Sequence, residues 1–144
     1  MAGQLYNTEI LRLAASTAGL KRLDAPMATV ERRSPICGSR VTADVVLDDD
    51  GRLNELGLMV RACALGQASA ALFAEYARGQ TLAEIADARD ALTRWLAGEG
   101  AVPDWPGLAI FEPAIPHAAR HASIRLPFEA AADAMAEART RRAA

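Results

Sequence analysis

The stretch SPICGSRVTADVVLDDDGRLNELGLMVRAC, residues 34–63, holds two runs of alternating side chains joined by an acidic turn, with a cysteine near each end. Val41, Ala43, Val45 and Leu47 alternate with Thr42, Asp44, Val46 and Asp48, the period of a half-buried strand. Asp48, Asp49, Asp50 and Gly51 supply a turn. Leu53, Glu55, Gly57 and Met59, alternating with Asn54, Leu56, Leu58 and Val60, then predict the returning strand of a hairpin. Cys37, set between Pro35 and Gly38 where the backbone must bend, lies at the open end of that hairpin. The second strand runs back toward the same end and reaches Cys63, so the two thiols can meet in space although they are far apart in sequence.

Working outward, Met27–Arg33 can add a third strand beside the hairpin, giving a three-stranded antiparallel sheet in sequence order. Asn7 or Thr8 can cap a helix through Ile10, Leu11, Leu13 and Ala14 that ends near Gly19. After Cys63 the period changes: Leu65, Ala68, Leu72, Phe73 and Tyr76 recur at threes and fours. Thr81 followed by Glu84 is a capping-box pair opening a helix through Ile85, Ala88, Leu92, Trp95 and Leu96. Glycines and prolines between residues 98 and 116 predict a long segment mostly outside regular structure, functional or mobile. From His117 the chain can become helical again, broken or kinked at Pro127. Its basic end, Arg139, Arg141 and Arg142, suits the negative end of a helix dipole. The expected class is α+β, a three-stranded sheet packed against several helices.

With 144 residues, the chain is expected to form one domain, 1–144, large enough to bury a core without disulfides or a metal. A net charge of −2 gives no basis for nucleic-acid binding, which needs clustered positive charge. No apolar run approaches the roughly 20 residues that cross a bilayer, and no basic segment precedes an apolar one at the N-terminus. The expectation is a cytoplasmic chain whose partners are proteins or small ligands. In that compartment two cysteines point to metal binding, thiol chemistry or plain burial before a disulfide.

Cys63 stands where a strand gives way to a helix, a position that favours thiolate through the helix N-terminus; a small buried apolar group is the alternative. Cys37 beside Gly38 allows close backbone approach to a ligand, or a side chain tucked under a turn. There is no C-x-x-C, H-x-x-x-H with an acidic partner, or G-x-S-x-G, so zinc ribbon, zincin and serine hydrolase are not indicated. His117 and His121 are four positions apart, which on a helix would place them on one face as a metal-binding pair or a surface feature.

Taken together, S-P-I-C-G before a hairpin, A-C-A-L-G-Q-A-S-A-A at a helix start and A-R-H-A-S-I-R-L-P after a long loop resemble the U-type iron-sulfur cluster assembly scaffolds, the IscU, SufU and NifU N-terminal family. The resemblance runs over roughly residues 5 to 138, and the spacing after Cys63 is closer to the SufU branch. It implies an α+β sandwich whose members hold zinc or a nascent iron-sulfur cluster with three cysteines and an aspartate, accept sulfur from a cysteine desulfurase, and pass the cluster on. Carried over by position, Cys37 and Cys63 match the first two cysteines, Ser39 stands where the family has aspartate, and Ser123 where it has the third cysteine.

The resemblance therefore implies a scaffold-like protein rather than a catalyst. Cys37 would anchor a metal and Cys63 accept sulfur, with His121, His117, Ser39 and Ser123 as candidate auxiliary ligands. Its cargo would be a transient iron-sulfur cluster or zinc. Its partners would be a desulfurase of the SufS or IscS type and other assembly proteins, with homodimer formation a way for two chains to share one cluster. Serine hydroxyls are poor metal ligands near neutral pH, and two thiolates alone hold metal weakly. Two other readings follow: a metal-free adaptor with the same fold, and a thiol enzyme using Cys37 or Cys63 with a histidine base.

Overall fold

In the computed structural model, which describes residues 5–143, β1 (Ala28–Arg33), β2 (Arg40–Leu47) and β3 (Leu53–Arg61) form an antiparallel sheet in that order. Residues 1–4 and 144 of the expected domain lie outside the described residues. The hairpin closes because Asp48 Oδ1 accepts the N–H groups of Asp50 and Arg52, both at 2.9 Å, while Gly51 takes a φ of +80° that other residues rarely adopt. In register, Val41 faces Val60, Ala43 faces Leu58 and Val45 faces Leu56, so one sheet face is apolar.

That face is covered by α4 (His121–Ala143), whose Ile124, Phe128, Ala131, Met135 and Ala138 are buried. The helices α2 (Ala64–Tyr76) and α3 (Leu82–Leu96) pack on α4, and α1 (Thr8–Ala15) packs on α2. Local signals set the helix starts. Asn7 accepts the Ile10 N–H at 2.9 Å, and Thr81 with Glu84 makes the reciprocal capping box.

One sequence expectation needs correction and two others gain detail. The helix from His121 runs through Pro127 to Ala143 without a break, because burial of residues on either side of the proline holds a segment whose one lost hydrogen bond is that to the Ser123 carbonyl. The 98–116 segment lies mostly outside regular structure, as expected, with Leu108–Ala114 forming a 3-10 helix, but it is not loose: Trp105, Leu108, Phe111 and Ala114 are core residues. Trp105 stacks on Phe73 at 5.3 Å between centroids and meets Phe128 edge-on at 5.0 Å, while its Nε1 donates to the Leu72 carbonyl at 2.9 Å. The C-terminal arginines do not merely complement a dipole. Arg141 donates to the Met27 carbonyl at 2.9 Å, and Arg142 to the Leu47 carbonyl at 2.7 Å and to that of Asp48.

A further difference concerns β2, which is buried on both faces from Val41 to Val45 rather than on one. The connection between α1 and β1 folds over the outer face as a strap and is fastened by Asp44. This fully buried carboxylate accepts Arg22 Nε at 2.7 Å and Nη2 at 3.1 Å, the Leu23 N–H at 3.0 Å and the Thr29 hydroxyl at 2.6 Å. Burial pushes Asp44 up, but the bonds from Arg22, Thr29 and Leu23 outweigh it and hold the carboxyl below its usual range. Gly57, opposite Asp44, makes room: a Cβ there would sit 2.7 Å from Leu23 N and 2.8 Å from the Lys21 oxygen.

Candidate functional site

At the end of the sheet where β1 gives way to β2, Ser34, Pro35, Ile36, Cys37, Gly38 and Ser39 form a tight loop. The Ser34 N–H donates to the Ser39 carbonyl at 2.7 Å, and Gly38 adopts a φ of +73°, turning the chain back into β2. The loop brings three hydroxyl oxygens around one sulfur. Cys37 Sγ lies 3.2 Å from Ser34 Oγ, 3.2 Å from Ser39 Oγ and 3.0 Å from Ser123 Oγ, the last contributed by the first turn of α4. Ser39 and Ser123 also touch each other at 2.9 Å. All three serines are buried, whereas Cys37 is exposed.

Counting protons gives the electrostatics. When Cys37 is a thiol, its proton can go to Ser34 while Ser123 donates to sulfur and Ser39 to Ser123. When Cys37 is ionised, Ser123 donates to sulfur and Ser39 shares its proton between sulfur and Ser123, while Ser34, the acceptor of the thiol proton, has to turn its hydroxyl to donate as well. Partial burial pushes the Cys37 thiol up, but bonds from the Ser123, Ser34 and Ser39 hydroxyls and from the Ser39 N–H outweigh it and lower it to about 6. Near neutral pH this is a thiolate open to solvent.

Cys63 is the N-cap of α2, at the same end of the sheet, two residues past Arg61, which pairs with Arg40. Its sulfur makes no capping hydrogen bond, in keeping with sulfur being a weak acceptor. The dipole argument selected Cys63, whereas the hydrogen bonds converge on Cys37. The first turn of α2 backs the site, and Gly66 allows it: an added Cβ would lie 2.7 Å from Ala62 Cβ and 3.2 Å from the Ser123 carbonyl oxygen. Gly66→Ala is expected to destabilise the fold by about 1–3 kcal/mol in urea unfolding, since this overpacking has no room to relax.

The histidines are placed differently from a metal-binding pair. His117 is exposed and precedes the 3-10 turn Ala118–Arg120, so it shares no helix face with His121. His121 is buried, and its Nε2 sits 2.8 Å from the Ala114 oxygen and 3.1 Å from the Ile115 oxygen. Two carbonyl acceptors require a proton on Nε2, which commits that nitrogen to anchoring the preceding 3-10 helix. Among the described residues, no group of three or more Cys, His, Asp or Glu side chains is arranged to hold a metal ion. The donor set at this end is two thiols, and its serine hydroxyls are bonded to one of them, so the residues present do not fit a four-ligand metal or cluster site. Ser34 escaped sequence reading. Its only signal was a serine opening a Pro- and Gly-containing turn.

Scans against protein-family models and curated protein sequences give no match. Among solved structures, the chain superposes on a nitrogen-fixing NifU-like protein (N-terminal) from Brucella abortus with a TM-score of 0.89 and 36% identity, covering 94% of this chain and 95% of that one. A structure from Fervidobacterium islandicum AW-1, assigned as an iron-sulfur cluster assembly scaffold protein for the SUF system, matches with a TM-score of 0.80 over 91% of this chain and 96% of that one; at 18% identity it speaks for the fold alone. With more than a third of positions identical over nearly the full length of both chains, the protein belongs to the U-type, NifU-like family of iron-sulfur cluster assembly scaffolds.

Proposed function

We propose that this chain, acting as one domain, serves iron-sulfur cluster assembly as a non-catalytic sulfur acceptor in the cytoplasm, with Cys37 as its working thiol and a cysteine desulfurase as its donor. The observation that carries this reading is the set of three hydroxyls on the Cys37 sulfur. In the step proposed, the Cys37 thiolate attacks the outer sulfur of the desulfurase persulfide. A Cys37–sulfur bond forms, the donor's sulfur–sulfur bond breaks, and the donor cysteine leaves as a thiolate, with no net oxidation. The same hydroxyls that lower Cys37 can solvate the persulfide anion that results. No step is assigned to iron or zinc, because among the described residues no three metal-ligating side chains come together; a second chain or an assembly partner would have to complete a metal site.

A metal-free adaptor is the second reading, favoured by the commitment of Ser39 and Ser123 to hydrogen bonding. The experiment that separates them is incubation with a cysteine desulfurase and free cysteine under argon, followed by mass spectrometry of the tryptic peptides. Acceptance predicts one added sulfur on the Cys37 peptide. Binding to the desulfurase without added sulfur would establish the adaptor, and sulfur on Cys63 alone would return the acceptor role to that thiol.

A further inference from the structure

The strand register sets three arginines side by side: Arg33 faces Arg40 on β1–β2, and Arg40 faces Arg61 on β2–β3. Directly paired residues project to the same side of a sheet, and like charges opposed in this way destabilise it. The row lies on the outer face, the side of Thr42 and Asp44, at the end nearest the two cysteines. Further along this face, the strap adds Lys21 and Arg22.

Three carboxylates share this face: Glu31, which also feels the charge of Arg40, the buried Asp44, and the exposed Glu55 opposite Val46. Arg33 pairs with Glu31 at 2.7 Å and Arg22 with the buried Asp44. Among the described residues, no ion pair engages Arg40, Arg61 or Lys21, although the chain as a whole has a net charge of −2. Beside the row, a groove of about 360 Å³ opens between the strap and β3, lined by Leu20, Lys21, Arg22 and Met59 among others. Met59 is 39% exposed, an apolar side chain set among cations.

We infer that this outer sheet face docks an acidic segment of a partner protein, with carboxylates on Arg40, Arg61 and Lys21 and an apolar side chain in the groove beside Met59. Charge complementarity of this kind sets the encounter rate and orientation of partners. A row of like charges that costs the sheet stability when bare is relieved once carboxylates sit on it. The inference stands on the charge arrangement and does not depend on what Cys37 carries.

The test uses a fluorescein-labelled, glutamate-rich peptide with one central leucine, titrated with the full chain at low salt and followed by anisotropy. Arg61→Glu and Arg40→Glu are expected to weaken binding by about tenfold or more, and added salt to weaken the wild type, whereas Arg139→Glu on α4, the same charge change, leaves it unaltered. Equal loss in Arg139→Glu, no binding by the wild type, or equally tight binding of a polyuridine strand would overturn the inference. Thermal unfolding gives an independent reading. Arg61→Gln is expected to melt higher than the wild type at low salt, with the difference shrinking at high salt; a lower melting point would make the row a structural feature and overturn it as well.

Discussion

Replacing both Ser39 and Ser123 with alanine is expected to raise the Cys37 ionisation midpoint from about 6 to about 8. Each hydroxyl bond to a charged sulfur contributes roughly 1.5 kcal/mol, and one pKa unit corresponds to about 1.4 kcal/mol. The buried positions vacated are small, so the fold should survive, and Ser34 keeps one bond to the sulfur. Rate at a single pH is a poor reporter. Loss of thiolate is partly offset by the greater intrinsic nucleophilicity of a more basic thiolate, with a Brønsted slope of about 0.4–0.5. The informative observable is the midpoint of the pH–rate profile, measured with iodoacetamide in a Cys63→Ala background. An unchanged midpoint would mean that the hydroxyls pack against the sulfur without tuning it.

The second large effect is on stability. Asp44→Ala is expected to cost about 2–4 kcal/mol, roughly a 10 °C fall in melting temperature, because it strands the Leu23 N–H, the Thr29 hydroxyl and the Arg22 guanidinium. The value is held below the loss expected for a wholly buried pair because the Arg22 side chain is 45% exposed and can rehydrate. The sign of the pH dependence follows from the lowered carboxyl. Its contribution is complete above the unfolded-state pKa of about 4 and is lost as pH falls through the lower folded-state value. Wild type and Asp44→Asn should therefore differ most near neutral pH and converge in acid. A constant difference down to the acid transition would show that the strap is not held by Asp44 ionisation.

Much of the fold is legible in the sequence because its signals are local. Alternation in β2 and β3, the Asp48–Gly51 turn and the Thr81–Glu84 capping box depend on residues a few positions apart, and each forms as expected. What sequence reading misses depends on contacts made at long range. Burial of β2 on both faces requires the strap, and the strap requires Asp44 and Gly57 to lie opposite each other. Trp105 gives the 98–116 segment a place in the core only once Phe73 and Phe128 are assembled around it. Pro127 is harmless inside α4 because tertiary packing outweighs its local penalty.

The candidate site divides in the same way. The motif positions of Cys37, Ser39, Cys63 and Ser123 identify the residues at one end of the sheet, but the chemistry of the serines is not in their spacing. Read as stand-ins for metal ligands, Ser39 and Ser123 look like losses. Placed around Cys37, with Ser34, they form a set of hydrogen-bond donors for a thiolate. On the proposed reading, serines in place of two ligands make the sulfur a nucleophile held by its neighbours rather than one member of a metal site. A sequence argument resting on the α2 dipole favoured Cys63, since hydroxyl contacts spanning residues 37 and 123 are invisible along the chain.

The central claim is that Cys37 is a thiolate at neutral pH because buried serine hydroxyls donate to it. Alkylation of Cys37 in the Cys63→Ala protein, followed from pH 4 to 10, roughly the span between carboxylate and lysine titration, tests it most directly. A single transition centred near 6 is the predicted result. A transition near 8.5, the value of an ordinary free cysteine, would contradict the account.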